Sequence, residues 1–222
     1  VHDMGTSVAD LDLYRRFAGE NRLTMRVVAY ADGDAAALEQ LCSAGSYSDP
    51  TGRVRMAGVK FYADGALGSR GAALLESYSD DRGNRGILVT PPQKLVDGIR
   101  KARRCGLQVA THAIGDRGNR MVLEDYALIL GDSARSDHRW RVEHAQVVSP
   151  GDFAMFVDLR VVASMQPVHA TSDMPWAEAR LGRTRLAGAY AWGRFLQSRV
   201  HLALGSDFPV ESADPRLGLH AA

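Results

Sequence analysis

Short apolar runs recur along the chain, each closed by a polar or glycine-rich turn and followed by a helical stretch, with no long linker between them. That alternation is the βα rhythm of a mostly parallel sheet covered by helices on both faces. Strand candidates are Leu23 to Ala31, Gly58 to Ala63, Gln108 to His112, Trp140 to His144, Arg160 to Gln166 and His201 to Gly205; with Val1 to Asp3 as the tail of another, they make seven. Helical candidates are Val8 to Glu20, Asp34 to Ala44, Pro91 to Cys105, Gly118 to Gly131, Pro150 to Asp158 and Leu186 to Ser198. The third has the clearest amphipathic spacing, with Leu95, Ile99 and Ala102 at steps of three and four. Gly65 to Thr90, rich in Gly, Ser, Asp and Arg, reads as a long βα loop over an active face.

Rhythm alone does not separate a closed barrel from an open sheet. The polar residues do: Lys60 with Asp64, His112, His144 and Asp207 fall at the C-terminal ends of four of the runs. A barrel converges all its strand ends on one point, whereas an open sheet places a ligand between two or three strands. The expected architecture is therefore one α/β domain over residues 1–222, a TIM-like (β/α)8 barrel.

Composition narrows the partners. The 222 residues are 45% hydrophobic and 24% charged, close to an ordinary globular α/β enzyme. A net charge of +1 argues against nucleic acid or an anionic membrane surface as partner, and no stretch approaches the roughly 18 apolar residues needed to span a bilayer. A small-molecule substrate and a cytoplasmic setting are expected, and a homo-oligomer stays open. Cys42 and Cys105 lie 63 positions apart without metal-ligand or redox-motif spacing, so buried free thiols are expected.

His112 and His144 each end an apolar run, where an imidazole can turn a lone pair to the mouth of the sheet, as a zinc-type ligand must. Either alone reads equally as a hydrogen-bonded rim residue; two on successive strand ends favour the ligand reading. Asp207 follows a strand and precedes Pro209, a place that also suits a turn former. Lys60 lies inside Val59-Lys60-Phe61-Tyr62, where a buried ammonium is costly unless paired or neutralised, and a neutral amine can add carbon dioxide to become a carbamate. The bland alternatives are an outward-facing Lys60 or a pair with Asp64. Asp116 reads as an acceptor orienting a ligand histidine or as a helix cap. Arg70 and His169 lie on segments that the fold would place over the pocket, with a surface salt bridge and a satisfied loop histidine as their plain readings. His138 and His220 read as solvent residues.

Taken together, Lys60 to Gly71, His112 to Asp116, Glu143 to Gln146, Gln166 to His169 and Gly205 to Val210 resemble the amidohydrolase superfamily. The likeness is to its family 3, the group with the YtcJ-like proteins and N-substituted formamide deformylase. The resemblance covers nearly the whole chain in the expected order. It implies a metal-bearing (β/α)8 barrel with an early His-x-His on the first strand. It also implies a lysine carbamate on the fourth strand, histidines on the fifth and sixth, and an aspartate on the eighth. Lys60, His112, His144 and Asp207 take the last four places. The implied cofactor is one or two divalent ions, zinc first, and Arg70 and His169 are implied as substrate contacts. The implied reaction is hydrolysis of a carbon–nitrogen bond in a non-peptide amide by metal-activated hydroxide, with Asp207 as general base and then acid.

One departure matters: His-x-His occurs nowhere in these 222 residues. By the resemblance the chain begins at the end of the second strand and lacks the family's small β-sandwich domain. An incomplete barrel is thus expected, strands 2 to 8, as a fragment of a longer enzyme or a truncated product. The alternatives are a non-catalytic metal-binding or regulatory relative and a deaminase of the same superfamily.

Overall fold

The computed structural model describes residues 1–222 apart from the side chain of Ala35. Two compact units are distinguished, Val1–Phe61 with Gln93–Ala110, and Tyr62–Pro92 with Thr111–Ala222.

In the first unit β1 (His2–Thr6) leads into α1 (Val8–Gly19), β2 (Val27–Asp32), α2 (Ala35–Ala44), the short β3 (Tyr47–Ser48), β4 (Val54–Tyr62) and α3 (Pro92–Arg104). Local chemistry sets the helix starts: Ser7 accepts from the Asp10 amide at 3.1 Å in a capping box, and Asp34 accepts from the Ala37 amide at 2.8 Å. β1 pairs parallel with β2, and β2 with β4, while β3 lies antiparallel on β4. Alternate residues of β2 enter different clusters. Ala29 and Ala31 pack with Leu11, Ala18, Val54 and Met56, whereas Tyr30 packs with Ala57 and Ala110. Burial of both faces is what a parallel sheet requires. On β4 a Cβ at Gly58 would lie 2.1 Å from the Gln108 carbonyl oxygen, so only glycine admits that approach.

The thiol expectation is corrected here. Cys42 on α2 and Cys105 just past α3 form a disulfide, with Cα atoms 5.1 Å apart. The two segments are also joined by an ion pair of Glu39 with Lys101. Helix packing brings together two residues that the sequence keeps 63 positions apart.

In the second unit β5 (Gln108–Ala113), whose start belongs to the first, is followed by α4 (Asp116–Leu130), a 3-10 turn (Gly131–Arg135), β6 (Arg141–His144), α5 (Phe153–Asp158) and β7 (Val162–Met165). Then come α6 (Pro167–Asp173), α7 (Ala177–Leu186), α8 (Trp192–Gln197), β8 (Leu202–Leu204) and α9 (Pro215–Ala221). β6 pairs parallel with β7, and β7 with β8. The strand order β1-β2-β4-β5-β6-β7-β8, seven strands in chain order with intervening helices, is that of an incomplete TIM-like α/β barrel. Among the described residues no helix is long and apolar enough to cross a membrane.

Residues 65–90 are anchored throughout. Leu67, Ala72, Leu74 and Tyr78 pack with Ile114, Val147 and Leu181. Asp80 takes ion pairs from both Arg70 and Arg180. α6 and α7 escape the sequence reading because Pro167, Pro175 and a left-handed Gly182 (φ 70°) interrupt the periodicity. His138 is also not the solvent residue expected. Its Nε2–H donates to the Leu159 carbonyl at 2.7 Å, and its Nδ1 accepts from the Trp140 amide at 2.9 Å.

Candidate metal centre

β6 ends at His144, and the chain leaves it through two left-handed residues, His144 (φ 77°) and Ala145 (φ 42°). Non-glycine residues hold such angles only where the surroundings impose them. Here the Val147 amide donates to the Ile114 carbonyl at 2.9 Å, Val148 to Gly188 at 2.9 Å, and Tyr190 to the Gln146 carbonyl at 2.7 Å. The turn is pinned, and His144 with it. Its ring is buried, with Nδ1 at 2.8 Å from Gln166 Oε1.

Gln166 stands before α6, whose first residue is Pro167, and His169 follows in the first turn with its amide donating to the Gln166 carbonyl at 3.1 Å. The rings of His144 and His169 stack 6.0 Å apart with an interplanar angle of 15°. Asp207, beyond β8 and also left-handed (φ 56°), places Oδ2 at 3.9 Å from His169 Nε2. His144, His169 and Asp207 each offer a ligand atom, and these atoms all lie within 4.8 Å of one another. Among the described residues the buried His169 Nε2 has no hydrogen-bond partner.

His112, near the end of β5, lies beside this group, its ring 4.5 Å from that of His144 and edge-on at 70°. The carboxylate next to it is Asp64, with Oδ1 at 3.5 Å from His112 Nε2. Asp64 is 2% exposed. It accepts from the amides of Ala73 at 2.8 Å, Ile114 at 2.9 Å and Gly115 at 2.8 Å. Burial pushes its pKa up to about 7, against the pull of those amides. Sequence reasoning treated Asp64 as a strand-end polar residue or a partner for Lys60. Its position at the end of a buried apolar strand was the available signal, and the three long-range amide bonds were invisible there.

The other expected residues divide. The carboxylate of Asp116 opens α4 and accepts from the amides of Leu75 at 2.8 Å and Arg117 at 3.0 Å, so it holds main chain. Both guanidinium bonds of Arg70 go to Asp80, at 3.2 and 3.0 Å. Lys60 belongs to the first unit, is 5% exposed on β4, and accepts at its carbonyl from the Gly33 amide at 2.7 Å.

A second polar knot adjoins the histidines. Asp173 Oδ2 accepts from Gln146 Nε2 at 3.0 Å and from the Tyr190 hydroxyl at 2.6 Å. Burial raises the pKa of both Asp173 and Tyr190. Asp173 lies four residues after His169 on α6 and Gln146 two after His144, so this knot ties together the segments bearing both rings.

Two imidazoles and a carboxylate at this spacing form a donor set for a divalent transition metal ion, and the bare His169 nitrogen among them fits that use.

The profile of the amidohydrolase family matches residues 1–222. Over 168 residues, 75% of the chain and 29% of the relative, the sequence is 39% identical to Protein LONG AFTER FAR-RED 3 of Arabidopsis thaliana. Over 169 residues, 76% of the chain and 31% of the relative, it is 38% identical to a Bacillus subtilis (strain 168) protein named "Putative amidohydrolase YtcJ". The crystal structure of an uncharacterized metal-dependent hydrolase from Pyrococcus horikoshii OT3 superposes on the whole chain with a TM-score of 0.88 and 33% identity, the match taking in 44% of that protein. The aligned chain thus accounts for less than a third of the length of these two curated relatives.

Proposed function

This chain belongs to the amidohydrolase family, and on that premise we propose that it carries metal-binding residues of a hydrolase acting on carbon–nitrogen bonds other than peptide bonds. The observation that carries the reading is the convergence of His144, His169 and Asp207 within 4.8 Å, with His112 stacked edge-on against His144. Those residues would hold one or two divalent ions, zinc first among them. A cation held there would supply Lewis-acid polarisation of the substrate carbonyl and a water of lowered pKa.

The chain's own groups divide the remaining work. A carboxylate oxygen of Asp207 takes the proton of the attacking water and returns it to the departing nitrogen, so that amide and water leave as acid and amine. Asp207 is suited to this because it is exposed at the site's rim, with Oδ2 3.9 Å from His169 Nε2. Asp64 lies beside the His112 ring, and the Gln166 acceptor holds the His144 imidazole for a ligand. The partner is a small amide-type molecule. The cytoplasmic setting expected from the sequence is not carried into this proposal, because the Cys42–Cys105 disulfide is characteristic of oxidising compartments.

The test is metal content and amine release together. The purified protein should bind Zn²⁺ or another divalent ion and release amine from small formamides or N-acyl amines. His144→Ala should lose the ion, and Asp207→Asn should lower kcat by roughly 100- to 10,000-fold. A protein that takes up no divalent ion, or a His144→Ala variant with unchanged metal affinity, would refute the reading.

A further inference from the structure

The side chain of Gln166 is 9% exposed, and both ends of its amide are engaged. One end lies 3.3 Å from the Ser164 carbonyl oxygen, the other 2.8 Å from Nδ1 of His144. A carbonyl oxygen can only accept, so the NH₂ must face Ser164 and Oε1 must face His144. Since Oε1 in turn only accepts, His144 Nδ1 must carry the proton. The imidazole is left with one lone pair, on Nε2.

We propose that Gln166 is the positioning residue of the metal centre: it locks His144 as the Nδ1–H tautomer, keeps the Nε2 lone pair for a metal ion, and seats His169 through its own backbone carbonyl. Residue 166 meets both histidines, one at its ring and the other at its backbone. Its side chain reaches His144, and its carbonyl accepts the His169 amide at 3.1 Å as α6 begins. Pro167, which has no N–H and a preset φ, fixes the first turn between them. The two rings lie stacked and near-parallel, at 6.0 Å and 15°. The left-handed backbone at His144 supplies the other constraint, turning a strand-end side chain toward Asp207.

The metal part of this inference rests on the reading in the preceding section, while the tautomer does not, and the experiment separates them. In metal-free protein labelled with ¹⁵N-histidine, a long-range ¹H–¹⁵N correlation should show His144 protonated at Nδ1, its signals assigned by their loss in His144→Gln. Gln166→Met, close in size but without the acceptor, should relax His144 toward the Nε2–H form that dominates in water. Zn²⁺ affinity, read by competition with a chromogenic chelator, should fall about 10- to 100-fold in Gln166→Met. Gln166→Glu still accepts from Nδ1–H and should stay within a few-fold of wild type. An Nε2–H tautomer in the wild-type protein, or Gln166→Met with wild-type Zn²⁺ affinity, overturns the proposal. If the wild-type protein takes up no Zn²⁺, the metal reading fails while the tautomer measurement still decides the role of Gln166. Should Gln166→Met not fold, the wild-type tautomer and the Gln166→Glu affinity decide it.

Discussion

Asp64 is the residue whose removal should disturb the second unit most. Its carboxylate is the acceptor for three buried main-chain donors, the amides of Ala73, Ile114 and Gly115. Replacement by alanine orphans all three, and at roughly 1–3 kcal/mol for each unsatisfied buried donor the cost is about 3–9 kcal/mol. Water entering the vacated space would bring this toward the lower end. Asparagine keeps one acceptor oxygen and removes the other. Its amide oxygen can take the place of Oδ2, which serves Ala73 and Gly115, leaving only the Ile114 donor facing an NH₂ group, at about 1–3 kcal/mol. The assay is the urea midpoint at pH 5, with the slope checked for constancy, together with hydrogen exchange. The amides of Ala73, Ile114 and Gly115 should be protected in the wild type. All three should speed up in Asp64→Ala, and Ile114 most in Asp64→Asn. An Asp64→Ala protein within about 1 kcal/mol of wild type would refute this account, as would Asp64→Asn being equally damaging.

Three further outcomes follow from the same structure. The Asp64 pKa is raised from 3.8 to about 7, so the stability contributed by its neutral form is complete below 3.8 and is lost as pH rises through 7. The loss is on the order of 4 kcal/mol, and the advantage of wild type over Asp64→Asn in urea midpoint should shrink between pH 4 and 7 and then level off. Gly118→Ala should be destabilising by about 1–3 kcal/mol in thermal or urea melts, although alanine usually favours a helix. The reason is that the new Cβ would sit 2.6 Å from Asp64 Oδ2, a group tethered by its three amide bonds. Opening the Cys42–Cys105 bridge as a double serine variant should cost about 4 kcal/mol for a loop of this length, read as a lower urea midpoint that reducing agent reproduces in the wild type.

The βα rhythm, the strand ends and most of the helices were legible in the sequence because each is a local matter. Periodicity and capping act within a few residues, as at Ser7 with Asp10 and Leu95 with Ile99. Where local signals are broken, by Pro167, Pro175 and Gly182, helices α6 and α7 went unread. The resemblance supplied His112, His144 and Asp207 by position. What it did not supply is what surrounds them. Asp64 receives amides 9, 50 and 51 residues away, Gln166 reaches His144 across 22, and Cys42 meets Cys105 across 63. None of these contacts leaves a trace in spacing, since the chain between can take many lengths and still deliver the same neighbour. Residue types and strand ends said which side chains could bind a metal ion. Tertiary structure alone decided which nitrogen of His144 carries the proton, because tautomer and ring orientation are set by the acceptor that packing brings against it.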